Sequence, residues 1–364
     1  MAERYQYVGI CGGYVCVQQD AFTLVWLLCF RGKALGLASL ELGGGAALKS
    51  LHALLRSRVP WRRRSGLTLP VFGHLCLSIH RGHKVFDLRR KRVTKVFSSD
   101  VKAEAITLEI EAVKKASELS FAPNLYRWSL EERWYEEDFV PGEIGYLFTA
   151  PSSVRELYRN HLETALLRMI ELEVPVELSL SDYVEQLAWH FAQLEFTKKD
   201  LDTPSVDATE RYISKKLEHL RSQSDCPVEL VFSHGDFSLR NILRIQSGIV
   251  VIDWEGAKHR SILCDLQNFF LTELYYKRMT DEEAAESVQS SIDSLQVRLT
   301  AASSPLSSSI SNSALYRELY FVERLIVLLA GELTKHRLSV VLRSIEVFQS
   351  FEKAVMRSEM IASE

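Results

Sequence analysis

The stretch that most constrains this chain is Leu230 to Asp265, LVFSHGDFSLRNILRIQSGIVVIDWEGAKHRSILCD. Val231 and Phe232 read as a short buried strand, which delivers His234-Gly235-Asp236 into a loop closing at Asn241. A hairpin follows: Ile242 to Ile245, a turn through Gln246-Ser247-Gly248, and the apolar run Ile249 to Ile252. Its second strand ends on Asp253 and Glu255. Strands of this kind leave polar groups only at their mouths. The order of the stretch therefore brings Asp236, Asp253 and Asn241 near one point. The plainer reading is a hairpin whose acids cap turns.

Magnesium takes oxygen ligands in octahedral geometry, usually one or two protein carboxylates together with phosphate oxygens and waters. Asn241 and Asp253 are such ligands, which leaves Asp236 to orient or deprotonate an incoming hydroxyl. Phosphoryl transfer asks little more of a protein than positioning and charge neutralisation. The H-G-D-x-x-x-x-N loop followed by an apolar strand ending D-x-E resembles the signature of the aminoglycoside phosphotransferase and choline kinase group of kinase-like enzymes. That resemblance implies an α+β, protein-kinase-like bilobal fold, with a small β-rich N-lobe over 75–140. A larger, mainly helical C-lobe over 141–364 would carry the catalytic loop and the metal-binding hairpin. Residues 1–74 lie outside it, as an N-terminal extension that contains strands. The resemblance further implies ATP and Mg2+, with Glu255 reaching a second ion through water. His234 would shape the loop, and a buried Asp265 would bond it.

Within 75–140, Leu75 to His80, Lys84 to Leu88 and Arg92 to Phe97 read as three short strands, turned at Arg81-Gly82-His83 and Arg89-Arg90-Lys91. In a kinase-like lobe, Gly82 lies in the loop over the nucleotide phosphates, although one glycine is far from the full glycine-rich pattern. Lys95, flanked by apolar residues, is either a solvent-facing lysine of an amphipathic strand or the phosphate-pairing lysine of the family. Lys102 to Leu119 reads as a helix with Ile106, Ile110 and Val113 on one stripe. At about 100° per residue, Glu109 lies roughly 60° from the centre of that stripe, while Glu104 and Glu111 lie on nearly the opposite face. Glu109 is therefore chosen as the partner of Lys95, with Glu111 as the alternative. Strands at Pro123 to Tyr126 and Arg133 to Val140 follow, broken by Pro141-Gly142. The family likeness makes Asp138 to Val140 a hinge whose backbone bonds an adenine ring.

From Ser152 to Leu220 the pattern is helical, in segments Val154–Ile170, Ser181–Phe196 and Val206–Leu220, with Ser181 or Asp182 as N-cap of the second. After Glu255 no long activation segment or A-P-E motif appears, so a platform for a peptide substrate is missing. Asp265-Leu266-Gln267-Asn268-Phe269-Phe270 opens a helix with aromatics through Tyr276. Trp254, Phe269, Tyr275 and Tyr276 read first as core packing and second as a cage for a quaternary ammonium group. Ser303 to Ser313 reads as a serine-rich connection. Tyr316–Lys335 and Leu338–Met356 read as closing helices.

The 364 residues allow two to three domains, and 47% hydrophobic with 25% charged residues is an ordinary globular composition. A net charge of -3 argues against bulk nucleic-acid binding. Six scattered cysteines without a C-x-x-C pair fit reduced thiols in a cytoplasmic protein. The apolar run Ala21 to Phe30 is too short to span a bilayer. Gly43 to Gly45 reads as a break and Ala46 to Leu55 as a helix. The basic cluster Arg56 to Arg64 reads first as a solvated surface and second as a peripheral contact for an anionic membrane.

The expectation is an ATP-dependent phosphotransferase acting on a hydroxyl of a small molecule. The alternative is a pseudokinase serving as a nucleotide-binding or scaffold module. A protein-phosphorylating enzyme is disfavoured by the missing activation segment. The acceptor (an amino alcohol, an aminoglycoside, a sugar or a glycolipid unit) and the oligomeric state have no signature in the sequence.

Overall fold

The computed structural model describes residues 4–10, 13–16, 67–144, 151–194, 203–330 and 335–363. Gly43 to Gly45, the expected helix from Ala46 and the basic cluster Arg56 to Arg64 lie outside them. Strands β1 (Tyr5–Ile10), β2 (Gly13–Cys16), β3 (Leu67–Leu69), β4 (Leu75–Ile79), β5 (Gly82–Asp87) and β6 (Arg92–Phe97) come first. Helix α1 (Ala103–Ala116) and strands β7 (Leu125–Ser129), β8 (Trp134–Asp138) and β9 (Glu143–Ile144) follow. Next are α2 (Pro151–Ile170), β10 (Val176–Ser179), α3 (Leu180–Ala192), α4 (Thr203–Ser222), β11 (Pro227–Ser233), β12 (Ile242–Ile245), β13 (Gly248–Val251) and β14 (Lys258–Ser261). The chain closes with α5 (Cys264–Tyr275), α6 (Asp281–Ala301), α7 (Leu306–Ile310), α8 (Ser313–Leu329) and α9 (Lys335–Ser363).

Two compact units result. The first comprises residues 1–148 and 239–256, the second 149–238 and 257–364. The hairpin β12–β13 thus packs with the strand-rich unit, although the sequence reading grouped it with the helices.

The first unit holds an eight-stranded sheet in the order β3-β1-β2-β4-β5-β6-β8-β7, antiparallel at every pair. Residues before 75 are part of it, because β1, β2 and β3 extend the edge beyond β4. Tyr7, Leu69, Val71, Cys76, Val85 and Val96 form a core there, and the Tyr7 hydroxyl donates to the Val71 carbonyl at 2.9 Å. The first expected turn moves by one residue. Ile79 pairs with Gly82, so His80 and Arg81 make the turn and Gly82 starts β5. At the second turn, the Asp87 carboxylate accepts from the Arg89 and Arg90 amides at 3.1 Å each, a local side-chain turn of the kind aspartate favours.

Helix α1 carries Glu104 in its first turn and Lys114 and Lys115 in its last, which complements the helix dipole. Its buried face is Ile106, Glu109, Ile110, Ala112, Val113 and Ala116, and Glu111 is exposed. The hairpin β12–β13 joins β9 in a small sheet. Phe121 ties it down, since its carbonyl accepts the Val251 amide at 2.7 Å and its ring lies 6.3 Å from that of Trp254.

The second unit is mainly helical around a three-stranded sheet, β10-β11-β14. Strand β10 interrupts the stretch read as helical from Ser152 to Leu220. Helix α3 is capped by Ser179, whose hydroxyl accepts the Asp182 amide at 3.0 Å, rather than by Ser181 or Asp182. Helix α6 has no counterpart in the sequence reading, although Thr280 and Glu283 form a reciprocal capping box at its start. The serine-rich connection contains a short helix, α7. Helices α4, α8 and α9 meet at Lys216, whose ammonium pairs with Glu318 at 2.8 Å and with Glu352. Beside it, Phe321 and Phe348 stack 4.4 Å apart. Cys76, Cys226 and Cys264 are unbridged, and no helix among the described residues is long and apolar enough to cross a membrane.

Candidate active site

In the strand-rich unit the candidate residues gather on one face of β5, β6 and β8. Residues on a strand alternate between faces, and partners across an antiparallel pair share a face. Lys84 is opposite Lys95, Lys95 is opposite Tyr135, and Val93 is opposite Glu137. Lys84, Lys95, Tyr135 and Glu137 therefore project together.

Lys95 is 1% exposed. A buried ammonium needs paired acceptors, and it has them. Its Nζ is 2.6 Å from Glu109 Oε1 and also pairs with Glu255. Glu109 in turn accepts from the Tyr135 hydroxyl at 3.1 Å and lies 3.6 Å from Arg81. Burial raises the Glu109 carboxyl above its usual range, and Lys95 pulls it back down in part. Glu111, exposed on α1, makes no such pair.

The hairpin brings Asn241 and Asp253 beside one another. The Ile252 amide donates to the Asn241 carbonyl at 2.8 Å, just beyond the Ile242–Val251 register pair. Asp253 then leaves the strand with φ 71°, a left-handed conformation that aspartate tolerates better than most residues. Its carboxylate meets the Lys84 ammonium at 3.0 Å. Burial alone would lower the Lys84 ammonium, but Asp253 and Glu137 outweigh it and hold the group above its ordinary value. Burial pushes the Glu137 carboxyl up to about 7, against the pull of Lys84. Glu255, assigned from sequence to a metal, is engaged by Lys95 through the short 3-10 turn Trp254–Gly256.

Gly82 has a steric reason to be glycine. It sits at φ 148°, and a Cβ there would lie 2.0 Å from the Val96 carbonyl oxygen. Asp138 ends β8 with its carboxylate bonded by Arg92 at 2.8 Å, by Asn124 Nδ2 at 2.7 Å and by the Tyr126 hydroxyl at 3.0 Å. The Asp138 amide donates to Asn124 and the Phe139 amide to Lys91. The side chain of Asp138 is thus a lock for the segment. Val140 follows, half-buried.

The helical unit carries the His234-Gly235-Asp236 loop at the end of β11. Asp265, buried in the first turn of α5, accepts the His234 amide at 2.6 Å and the Gly235 amide at 2.9 Å. The Asp236 amide donates to His234 Nδ1 at 3.2 Å, which bends the loop back on itself. Gly235 has φ 78°, and a Cβ there would lie 2.6 Å from the Arg260 guanidinium. Asn268 donates to the Phe237 carbonyl at 3.0 Å and accepts from the Tyr320 hydroxyl. Asp236 keeps 40% of its side chain exposed, and Arg324 donates to it from α8. This loop belongs to the second unit, and Asn241 and Asp253 to the first.

The aromatic set is divided between the units, Trp254 in the first and Phe269, Tyr275 and Tyr276 in the second. Trp254 is buried in the first unit, where its indole N–H donates to Val251. Phe269 is buried against Phe237 in the second. Tyr275 lies under the Arg343 guanidinium, 4.6 Å from its ring centre. Lys84, Glu137 and Arg324 escaped the sequence reading. Lys84 carried a legible signal: the strand pairing that sets Lys95 inward also sets Lys84 inward.

Residues 84–291, more than half of the chain, match the phosphotransferase enzyme family. The chain belongs to that family and is a phosphotransferase. Among solved structures it is similar to choline kinase from Cryptosporidium parvum at 11% identity, with 79% of this chain and 88% of that one covered and a TM-score of 0.50. Choline kinase LicA from Streptococcus pneumoniae is similar at 14% identity, covering 76% and 94%, with a TM-score of 0.47. An aminoglycoside phosphotransferase, APH(3'')-Id, from Streptomyces rimosus matches at 14% identity over 75% and 92%, with a TM-score of 0.41. At 11% identity the likeness to the Cryptosporidium parvum choline kinase is one of fold alone. No curated protein matches the chain.

Proposed function

We propose that the protein transfers the γ-phosphoryl group of ATP to a hydroxyl of a small molecule in the cytoplasm. The observation that carries this reading is the buried Lys95–Glu109 pair at 2.6 Å on the face that also receives Asp253. A lysine held by a helix carboxylate is the arrangement that neutralises nucleotide α- and β-phosphates in kinase-like enzymes. Asp236 receives the acceptor's proton or aligns its hydroxyl, and Asp265 and His234 hold the loop that presents it. Gly82 borders the turn over the phosphates. The backbone from Asp138 to Val140 is the adenine contact.

Among the described residues no group of three or more His, Cys, Asp or Glu side chains forms a ready-made metal cage. Magnesium does not need one, because it shares its shell with phosphates and waters. Asn241 and Asp253 fit it by donor chemistry, and the Lys84 ammonium already marks Asp253 as a cation-accepting position. Glu255 is the further candidate ligand. When bound, the ion supplies charge neutralisation at the β- and γ-phosphates.

A second reading is a nucleotide-binding module with weak turnover. Two observations favour it: Gly82 stands alone in the covering turn, and lysines already neutralise both Asp253 and Glu255. Thermal-shift titration with ATP, with and without Mg2+, followed by a panel of hydroxylated acceptors scored for ADP release, tests both. Metal-dependent stabilisation with acceptor-dependent ADP release is the expected result. Binding without ADP release on any acceptor selects the module, and no binding at all overturns the nucleotide assignment.

A further inference from the structure

Resting on the nucleotide reading above, we propose that Lys84 is a second phosphate ligand, held on Asp253 until a divalent cation arrives, so that one side chain couples metal binding to nucleotide binding. Lys84 and Lys95 are register partners on adjacent antiparallel strands and project from the same face. Their present partners differ in kind. Lys95 is fully enclosed and locked between Glu109 and Glu255. Lys84 keeps 24% of its side chain exposed, and its ammonium rests on Asp253, whose side chain is 36% exposed. Lys84 is therefore the mobile cation of the pair, and its counter-ion is the residue assigned to the metal.

An ammonium at 3.0 Å occupies a carboxylate oxygen that a divalent ion would also claim. Two cations on one oxygen repel each other strongly at such a distance, so arrival of the ion releases Lys84. A half-buried ammonium then needs another anion. Glu137 shares its face but is a single carboxylate, and Glu109 and Glu255 are held by Lys95. A polyphosphate bound beside Lys95 offers several charged oxygens on the same face. The released lysine takes one, as a point charge on a flexible stem.

The couple makes opposite predictions for the two ligands. Mn2+ serves as an oxygen-preferring probe, titrated alone by electron paramagnetic resonance. ADP is then titrated calorimetrically at saturating Mg2+. Lys84→Met binds Mn2+ more tightly than the wild type and binds ADP–Mg2+ more weakly, each on the order of tenfold, the worth of one charge-assisted hydrogen bond. Lys84→Arg keeps the charge and stays near the wild type for Mn2+. Should Lys84→Met fail to fold, Lys84→Gln carries the same expectation. Affinities that fall together, or that both stay unchanged, overturn the proposal and leave Lys84 a strand-pairing residue. A wild type that binds Mn2+ but no ADP overturns the nucleotide reading itself, and this proposal with it, before any variant is made.

Discussion

Arg324, on α8, donates to the Asp236 carboxylate at 3.2 Å and to the Gly235 carbonyl at 3.3 Å. A guanidinium that grips both the loop backbone and the carboxylate fixes the direction in which Asp236 points. Its own charge is secure: burial would lower the guanidinium, but Tyr320 and Asp236 outweigh that and hold it above its ordinary value. Misplacing a reacting group by about 1 Å can cost around a hundredfold in rate. Arg324→Ala should therefore lower kcat by roughly tenfold to a hundredfold, with the KM for ATP nearly unchanged. Partial recovery in Arg324→Lys, or on adding guanidinium ion to the alanine variant, identifies positioning. Equal losses in kcat and in thermal stability would instead make Arg324 a packing residue.

Asp236→Asn keeps the size of the side chain and one oxygen for Arg324 but removes the carboxylate proposed to receive the acceptor's proton. General acid–base groups contribute roughly a hundredfold to ten-thousandfold, so steady-state ADP release should fall by that factor. ADP binding, measured calorimetrically, should stay at the wild-type level. A variant that retains full turnover removes Asp236 from the chemistry.

Asp265 accepts two buried amides from one loop. Replacing it by alanine strands both donors, and each unsatisfied buried group costs about 1–3 kcal/mol. Urea denaturation should show a loss of this order. Proteolysis should become faster at His234 to Phe237 before it does elsewhere. Unchanged stability would mean that water replaces the carboxylate without cost.

Glu137 sets a pH signature. Its carboxyl is held at about 7 by burial, above the ordinary 4.5. Because the folded value is the higher one, the protonated form favours the folded state. That contribution is complete below about pH 4.5 and is lost as pH rises through about 7. Ionising the group in the folded protein costs up to about 3 kcal/mol. Glu137→Gln should therefore gain stability over the wild type as pH rises from 5 to about 8. Melting curves of both proteins without nucleotide check this, and parallel curves across that range would contradict it.

How much of this was legible in the chain differs from residue to residue. The hairpin and its flanking acids were legible because strand alternation and turn residues are local, and their order in sequence is their order in space. Glu109 was legible because helical periodicity alone sets which face of α1 is buried. Helix α6 went unread despite the Thr280–Glu283 capping pair, because its alanine- and serine-rich buried stripe gives a weak periodic signal. Strand β10 lies between helices and is only four residues long, so its pairing with β11 decided its conformation. The stretch from Arg133 to Val140 carries a polar Asp138 with no partner close by in sequence. Its partners, Arg92, Asn124 and Tyr126, come from three other segments.

The sequence by itself carried the hairpin from Ile242 to Ile252 and the buried face of α1 with Glu109, because alternation and helical periodicity are written along the chain, while its family resemblance pointed to Lys95, Asp236, Asn241 and Asp253. Only the tertiary structure decided which charge faces which. Lys84 meets Asp253 across 169 positions, and Arg324 meets Asp236 across 88. Such pairings depend on strand register and helix packing, and Coulomb attraction acts through space with no trace in sequence order.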